Sequence, residues 1–152
     1  MINPFQLKKQ SLIENNMDLV APPKVVESWK DLANKVWQEL VDIGFSASVI
    51  AEGDEFPSTA GVVVRIHKQD PYGVTLEWHA PVVDSEQYQR EVLEQVHKPA
   101  VTSRLIRHVS EAKEIATKAA FDVLKDAGFQ TMMDYIERGG YYYRVLSTPA
   151  DQ

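Results

Sequence analysis

Residues 61–80, GVVVRIHKQDPYGVTLEWHA, decide the fold. Apolar and polar residues alternate on both sides of Asp70-Pro71-Tyr72-Gly73, and a period of two predicts β-strands. Asp first, Pro second and Gly last are typical of a type I turn. A hairpin closed there would pair residue 70 with residue 74, so that Ile66 faces Trp78 and Val64 faces Ala80. The stretch therefore predicts an antiparallel hairpin with one apolar face.

The opposite face of this predicted hairpin collects four polar side chains: Arg65, His67, Glu77 and His79. The predicted pairing sets His67 against Glu77 and Arg65 against His79. Neutral imidazoles and a carboxylate can bind zinc or supply a general base. However, the permanent charge of Arg65 repels a cation, and the spacing is also typical of a sheet with one solvated face. We predict a solvated or partner-facing surface here, with a metal-binding or catalytic site as the alternative.

Helical patterns flank the strands. Apolar residues recur at spacings of three and four over residues 24–43, and again over residues 100–127, where the stripe is rich in alanine. A strand over 45–52 precedes the hairpin, and a second hairpin turning at Gly139-Gly140 ends the chain. The order predicts an α+β fold, with a mainly antiparallel sheet (a β-meander plus the C-terminal hairpin) packed against two long helices. The predicted core comprises Trp29, Val36, Leu40, Val64, Ile66, Leu76, Trp78, Val109 and Val123.

The Pro22-Pro23 pair divides the chain into an N-terminal arm, residues 1–23, and a single α+β domain, residues 24–152. Phe5, Leu12 and Ile13 have no place in the main helix pattern, and apolar residues need a surface to cover them. The arm either packs on its own domain or docks on a neighbouring subunit. Because docking of this kind would join two copies of the chain, we expect the protein to self-associate.

The distribution of charge limits which partners the protein can bind. The 152 residues carry a net charge of −6 and no cysteine, which excludes disulfides and thiolate zinc sites. Residues 1–96 hold 8 Lys/Arg and 15 Asp/Glu, and the remainder holds 8 and 7, so the acidic charge lies in the first part. An acidic body repels a polyanion, so nucleic-acid binding is disfavoured. No signal pattern and no membrane-spanning run is present, so we expect a cytoplasmic protein that does not bind membranes.

One segment departs from this acidic character. Residues 97–108, HKPAVTSRLIRH, contain no acid, and Lys98, Arg104, Arg107 and His108 form the anion-binding candidates. Positive charge near a helix start opposes the helix dipole, which points to an anionic partner: a phosphate, an acidic protein patch or nucleic acid. The alternative is a solvated helix face balanced by acids further along the helix.

The last strand contains three consecutive tyrosines and an arginine. Neighbours on a strand point to opposite faces, so Tyr141, Tyr142, Tyr143 and Arg144 must present aromatic groups on both sides of the sheet. Tyr and Arg are favoured at interface hot spots, which makes these four residues the interface candidates.

No Walker loop, dinucleotide fingerprint, HExxH or GxSxG motif occurs, so the sequence predicts no cofactor. We predict a non-catalytic protein-binding or assembly module whose partner is another protein or a second copy of the chain. The element order is similar to that of phage tail-completion proteins and of small immunity or antitoxin-like proteins, without a shared motif. The alternatives are a small enzyme or metal-binding protein using His67, Glu77 and His79, and an anion or nucleic-acid binder using the start of the helix over 100–127.

Overall fold

A computed structural model describes residues 3–100, 103–136 and 139–149. Within these residues the strands form one five-stranded sheet in the order β1-β2-β3-β5-β4, and every neighbouring pair is antiparallel except β1 and β2. The predicted α+β fold with a mainly antiparallel sheet and two long helices is confirmed. The elements are α1 (Pro4–Ile13), α2 (Pro23–Asp42), β1 (Ala47–Ala51), β2 (Gly61–His67), β3 (Gly73–His79), a 3₁₀ turn (Pro81–Asp84), α3 (Glu86–His97), α4 (Arg104–Asp126), β4 (Gln130–Tyr135) and β5 (Tyr141–Ser147).

Helices α2 and α4 end in the same local motif. Gly44 and Gly128 follow them with φ of 103° and 98°, the left-handed conformation that glycine adopts without steric cost. The N–H of Phe45 donates to the carbonyl of Leu40 at 2.9 Å, and Phe129 makes the equivalent bond after α4. These caps turn the chain from each helix into an edge strand, β1 or β4. None of the helices in the described ranges has the length of apolar sequence that a bilayer crossing requires.

The core lies between the sheet and the two long helices. Most of the predicted core is buried, as Trp29, Val36, Leu40, Val64, Ile66 and Leu76 are each at most 5% exposed. Trp78, Val109 and Val123 are only half-buried, which corrects the prediction for these three.

Val109 and Val123 are less buried than predicted because helix α4 packs a different face against the sheet. The helix buries Thr117, Ala120, Phe121 and Leu124 instead of the predicted alanine-rich stripe, whose Ala112 and Ala119 are exposed. Both stripes have helical spacing, and the larger Phe121 and Leu124 remove more apolar area from water. Val101, the first residue of the predicted stripe, lies outside the described residues.

The predicted β-meander differs at its first connection, because β1 and β2 are parallel. Residues 52–60 cross the face of the sheet that α2 does not cover, so β2 starts at the same end as β1. Phe56 anchors this crossing: its ring stacks on His79 with centroids 4.7 Å apart, and Arg65 lies over it at 5.3 Å. The second face of the sheet is thus partly covered, whereas the sequence predicted a solvated or partner-facing one.

The register of the β2–β3 hairpin also differs from the prediction. Ile66 pairs with Val74, and Val64 with Leu76, so each predicted partner is displaced by four residues. The displacement arises because the connection spans residues 68–72 and Tyr72 takes a positive φ of 59°. Tyr72 is fully buried and its hydroxyl donates to the carbonyl of Leu19 at 2.5 Å, so tertiary packing overrides the turn signal. An even displacement keeps every side chain on its predicted face.

The C-terminal hairpin has a longer connection than the predicted two-residue turn. Tyr135 pairs with Tyr141, and the N–H of Ile136 donates to the carbonyl of Gly140 at 3.1 Å. The two tyrosine rings meet edge to face at 5.9 Å near the end of this hairpin.

The N-terminal arm packs on its own domain. Leu7 is 4% exposed within the core, and the N–H of Ala21 donates to the carbonyl of Lys68 at 2.7 Å. Phe5 lies against Arg144, so it does have a place in the domain. Leu12 and Ile13 are 68% and 75% exposed, in keeping with the absence of a place for them in the pattern.

Candidate functional site

A polar cleft opens where strands β3 and β5 separate. The two strands pair only over Val74–Leu76, and α4 fills the gap beyond. Thr117 of α4 replaces the missing strand partner, since its hydroxyl accepts from the N–H of Trp78 at 3.0 Å and donates to the carbonyl of Lys113 at 2.6 Å. A cavity of about 270 Å³ remains beside this contact. We refer to it as the polar cleft.

Glu77 is the central acid of the polar cleft. Its carboxylate lies 3.1 Å from a guanidinium nitrogen of Arg65 and 3.3 Å from the ammonium of Lys113. The Glu77 side chain is 25% exposed, and those of Arg65 and Lys113 are 33% and 50% exposed. One negative charge therefore faces two positive charges, which leaves the carboxylate well compensated.

His67 lies deeper, at 6% exposure, with Nε2 2.8 Å from the hydroxyl of Thr75. Burial, and then the charges of Arg65 and Arg144, lower the pKa of His67 from 6.5 to about 4. The imidazole is therefore neutral near pH 7. Because a neutral imidazole carries no charge, it needs no acidic partner and can form its hydrogen bond with the Thr75 hydroxyl.

Tyr143 closes the cleft from β5. Its hydroxyl donates to the carboxylate of Glu114, and its ring meets Phe121 edge to face at 5.3 Å. Burial, and then the hydrogen bond to Glu114, raise the pKa of Tyr143 above its ordinary value. The phenol stays protonated and positions Glu114.

Arg65, His67 and Glu77 line the polar cleft, whereas His79 lies outside its lining and shares the Phe56 ring with Arg65. His79 is buried against Phe56, and its Nε2 lies 3.9 Å from the carboxylate of Asp84. The predicted strand partners are wrong: Arg65 pairs with Thr75, His67 with Gly73, Glu77 with Val63 and His79 with Gly61. Within the described ranges, no three His, Asp or Glu side chains are arranged to hold a metal ion.

Two of the four interface candidates belong to the interior. Arg144 is fully buried, and its Nε donates to Asp134 at 2.8 Å. Its other nitrogens donate to the carbonyls of Tyr72 at 2.5 Å and Pro71 at 2.8 Å. Tyr143 is 5% exposed, which leaves only Tyr141, 48% exposed, and the half-buried Tyr142 accessible. The surface role predicted for Tyr143 and Arg144 is corrected, because both side chains are buried within the chain itself. The charge of Arg144 is stable there because it has these partners.

The anion-binding candidates are all exposed and lie apart: Arg104 and His108 line one pocket together with Glu91, whereas Lys98 lines another. Lys98 follows α3, and Arg107 lies 4.0 Å from Glu111. The start of α4 is capped by Ser103, whose hydroxyl accepts from the N–H of Ile106 at 3.2 Å and donates to Glu91 at 2.8 Å. An incoming anion would meet the Glu91 carboxylate at this helix start.

Three residues of the polar cleft were not predicted from the sequence: Thr117, Lys113 and Glu114. One local signal was available, because a buried threonine in a helix can donate a hydrogen bond to the carbonyl four residues earlier, which here is that of Lys113. Their relation to Glu77 and Tyr143 depends on where β3 and β5 part, which no local pattern encodes.

No model of a known protein family matches the chain, and neither the curated proteins nor the solved structures include one that is significantly similar to it.

Proposed function

We propose that the protein is a non-catalytic protein-binding or assembly module, and that residues 81–116 form its contact surface. This segment, here called the helical hairpin, comprises the 3₁₀ turn, α3 and the first half of α4. One observation carries the proposal: no described residue between Ala80 and Ala116 is buried. Helices in globular proteins owe most of their stability to a buried apolar face, so a partner that covers this surface would complete the hairpin.

The helical hairpin nevertheless has apolar side chains to bury. Leu93 and Val96 of α3 are 62% and 67% exposed, and Ile115 of α4 is 70% exposed. Single exposed apolar residues are ordinary, but a segment with several of them and no buried residue among those that the structure describes resembles an interaction surface. The exposed positions also hold Lys98, Arg104 and Arg107, so the surface combines apolar and charged groups.

The groups of the polar cleft favour binding over catalysis as the function of the protein. Glu77 is compensated by two cations, Tyr143 is protonated and bonded to Glu114, and His67 bonds to Thr75. A general base needs a free lone pair within reach of substrate and a pKa close to the working pH. With these groups engaged in one another, the polar cleft supports a structural role.

Site-specific photo-crosslinking in the native host tests the proposal. A photoreactive amino acid at Leu93 should give one defined protein adduct, and a second change, Val96→Asp, should abolish it. The same photoreactive group at Leu12, on the equally exposed end of α1, is the matched control. Val96 is exposed, so Val96→Asp should leave the free energy of unfolding within about 0.5 kcal/mol of wild type. Equal labelling at Leu93 and Leu12 would refute the helical hairpin as the contact surface.

A further inference from the structure

We infer that the edge strand β4 pairs with β4 of a second copy of the chain, antiparallel and across a two-fold axis at Met133. The pairing would join two five-stranded sheets into one continuous sheet. It uses a different surface from the helical hairpin and therefore goes beyond the proposed function. It follows from the free backbone groups of β4, from the contrast with the other edge of the sheet, and from the symmetry of the free groups.

The hydrogen bonds of the C-terminal hairpin show which backbone groups of β4 face outward. The N–H of Ile136 donates to the carbonyl of Gly140 at 3.1 Å, so these two residues form a hydrogen-bonded pair. Such pairs alternate along an antiparallel ladder, so every second residue from Ile136 back to Met132 directs its N–H and C=O toward β5. Three residues direct these groups to the open edge instead: Thr131, Met133 and Tyr135. Among the described residues, none of them has a partner for its outward N–H or C=O.

The opposite edge of the sheet, β1, is largely satisfied by the chain itself. The carbonyl of Ala47 accepts from the indole N–H of Trp37 at 2.9 Å. The N–H of Ala51 donates to the carboxylate of Asp54 at 2.8 Å, and its carbonyl accepts from the N–H of Asp54 at 3.2 Å. A free edge pairs readily with another strand, and proteins that avoid this cover the edge or place charges or proline on it. The two edges of this sheet are therefore built differently.

Strand β4 lacks these protective features. Its sequence, QTMMDY, contains neither lysine nor proline. Its single acid, Asp134, is bound to Arg144 of the same chain at 2.8 Å. The irregularity in register lies before Thr131, so residues 131–135 form a regular ladder. The outward groups of β4 thus remain able to bind an extended strand.

The free groups are symmetric about Met133, and a second β4 fits them completely. In an antiparallel pair centred there, Met133 pairs with itself and Thr131 pairs with Tyr135 on either side of the axis. All outward N–H and C=O groups of both copies then form hydrogen bonds. A register shifted by two residues would leave one outward residue of each copy without a partner in the other strand.

The side chains of β4 also suit pairing with itself. Tyr135, which is 63% exposed, comes opposite Thr131, and an aromatic ring opposite a β-branched residue stabilises an antiparallel pair. On the other face of the sheet, Asp134 comes opposite Met132, so like charges do not meet. The strand has six residues and spans about 20 Å, so the interface is smaller than the roughly 1,600 Å² of a standard one. The dimer should therefore form at high concentration and dissociate on dilution.

A proline at an outward position tests the role of the backbone. Tyr135→Pro removes one edge N–H but no hydrogen bond between β4 and β5. Tyr135→Ala is the matched control, because it also lacks the ring but keeps the N–H. In sedimentation equilibrium of the whole chain, the dimer dissociation constant of Tyr135→Pro should be at least about tenfold above that of Tyr135→Ala. Circular dichroism of both variants checks that their secondary structure matches that of wild type.

Disulfide mapping tests the register without a proline, and the chain contains no cysteine that could interfere. A mixture of Thr131→Cys and Tyr135→Cys brings the two Cα atoms within about 5.5 Å, which a disulfide can span. Two copies of either single variant would hold their cysteines roughly 13 Å apart along the strands. Under mild oxidation the mixed disulfide should therefore form at least about tenfold faster than either self-linked product.

Four results would contradict the inference. Wild type that sediments only as a monomer at about 1 mM would exclude the dimer. Equal dissociation constants for Tyr135→Pro and Tyr135→Ala would show that the edge N–H does not hold it, and a mixed disulfide no faster than the self-linked ones would show that the register is wrong. If a photoreactive amino acid at Tyr135 captures a different protein in the host while the purified chain stays monomeric, the edge binds a foreign strand and the second copy is wrong. None of these results bears on the helical hairpin, which photo-crosslinking at Leu93 tests separately.

Discussion

Replacing His67 by glutamine should make the free energy of unfolding less sensitive to acid. The imidazole has a pKa of about 4 in the folded protein, against 6.5 for a histidine in an unfolded chain. Between these pH values the unfolded chain binds a proton that the folded chain excludes, so acidification favours unfolding. The stabilisation that this pKa difference provides is complete above pH 6.5 and is lost as the pH falls toward 4. At about 1.4 kcal/mol for each tenfold change, the whole effect is roughly 3 kcal/mol, of which about 2 kcal/mol is lost between pH 8 and pH 5.

Urea denaturation at pH 8, 6.5 and 5 measures this effect. The amide of His67→Gln cannot gain a proton, so the difference in unfolding free energy between wild type and variant should change by about 2 kcal/mol from pH 8 to pH 5. Carboxylates titrate in both proteins and cancel in that difference. Parallel pH profiles for wild type and His67→Gln would refute a depressed pKa at His67.

Substitutions at three positions probe the contacts that hold the second face and the polar cleft. Arg144→Met leaves Asp134 and two carbonyls without their donor and should cost about 3–5 kcal/mol in urea denaturation; a loss below about 1 kcal/mol would contradict a buried, fully used guanidinium. Gly61→Ala places a Cβ 2.7 Å from the backbone oxygen of Ser46 and should cost about 1–3 kcal/mol by thermal denaturation, since only a backbone shift can relieve it. Thr117→Val leaves the N–H of Trp78 without an acceptor and should cost about 1–3 kcal/mol, whereas Thr117→Ser keeps the hydroxyl and should cost less; equal losses would assign the effect to packing.

Local signals predicted the elements whose ends and faces are encoded nearby in the chain. Helix α2 was predicted almost to its last residue, because a continuous apolar stripe lies between Pro23 and Gly44. Helix α4 was found, but its buried face was assigned to the alanine stripe. Two stripes of helical spacing compete there, and only the position of the sheet shows that Phe121 and Leu124 face inward.

Tertiary contacts decided the features that the sequence did not predict. The β2–β3 register depends on Tyr72, which turns into the core to bond with Leu19 from a segment far away in sequence. Arg144 looked like a surface residue, yet alternation along β5 places it on the face that the N-terminal arm covers through Phe5. The face predicted for His67 and Glu77 was correct. The separation of β5 from β3, which lets Lys113 reach Glu77, depends on the packing of α4 and was not predicted.

The covering of the second face of the sheet links these observations to the proposed function. Phe56 covers one part of that face and Phe5 another, so polar side chains that would be solvated in a two-layer fold become buried. A buried polar group is tolerated only when it is hydrogen-bonded or paired, which accounts for the partners of Arg144, His67 and Glu77. These paired side chains stabilise the domain, whereas the buried Nε2 of His79, whose ring stacks on Phe56 at the same face, has no hydrogen-bond partner among the described residues. The helical hairpin differs, because none of its described residues is buried and Leu93 and Val96 are exposed, although Lys113 and Glu114 bond to Glu77 and Tyr143 of the sheet. These exposed apolar side chains are what the proposed contact with another chain would cover.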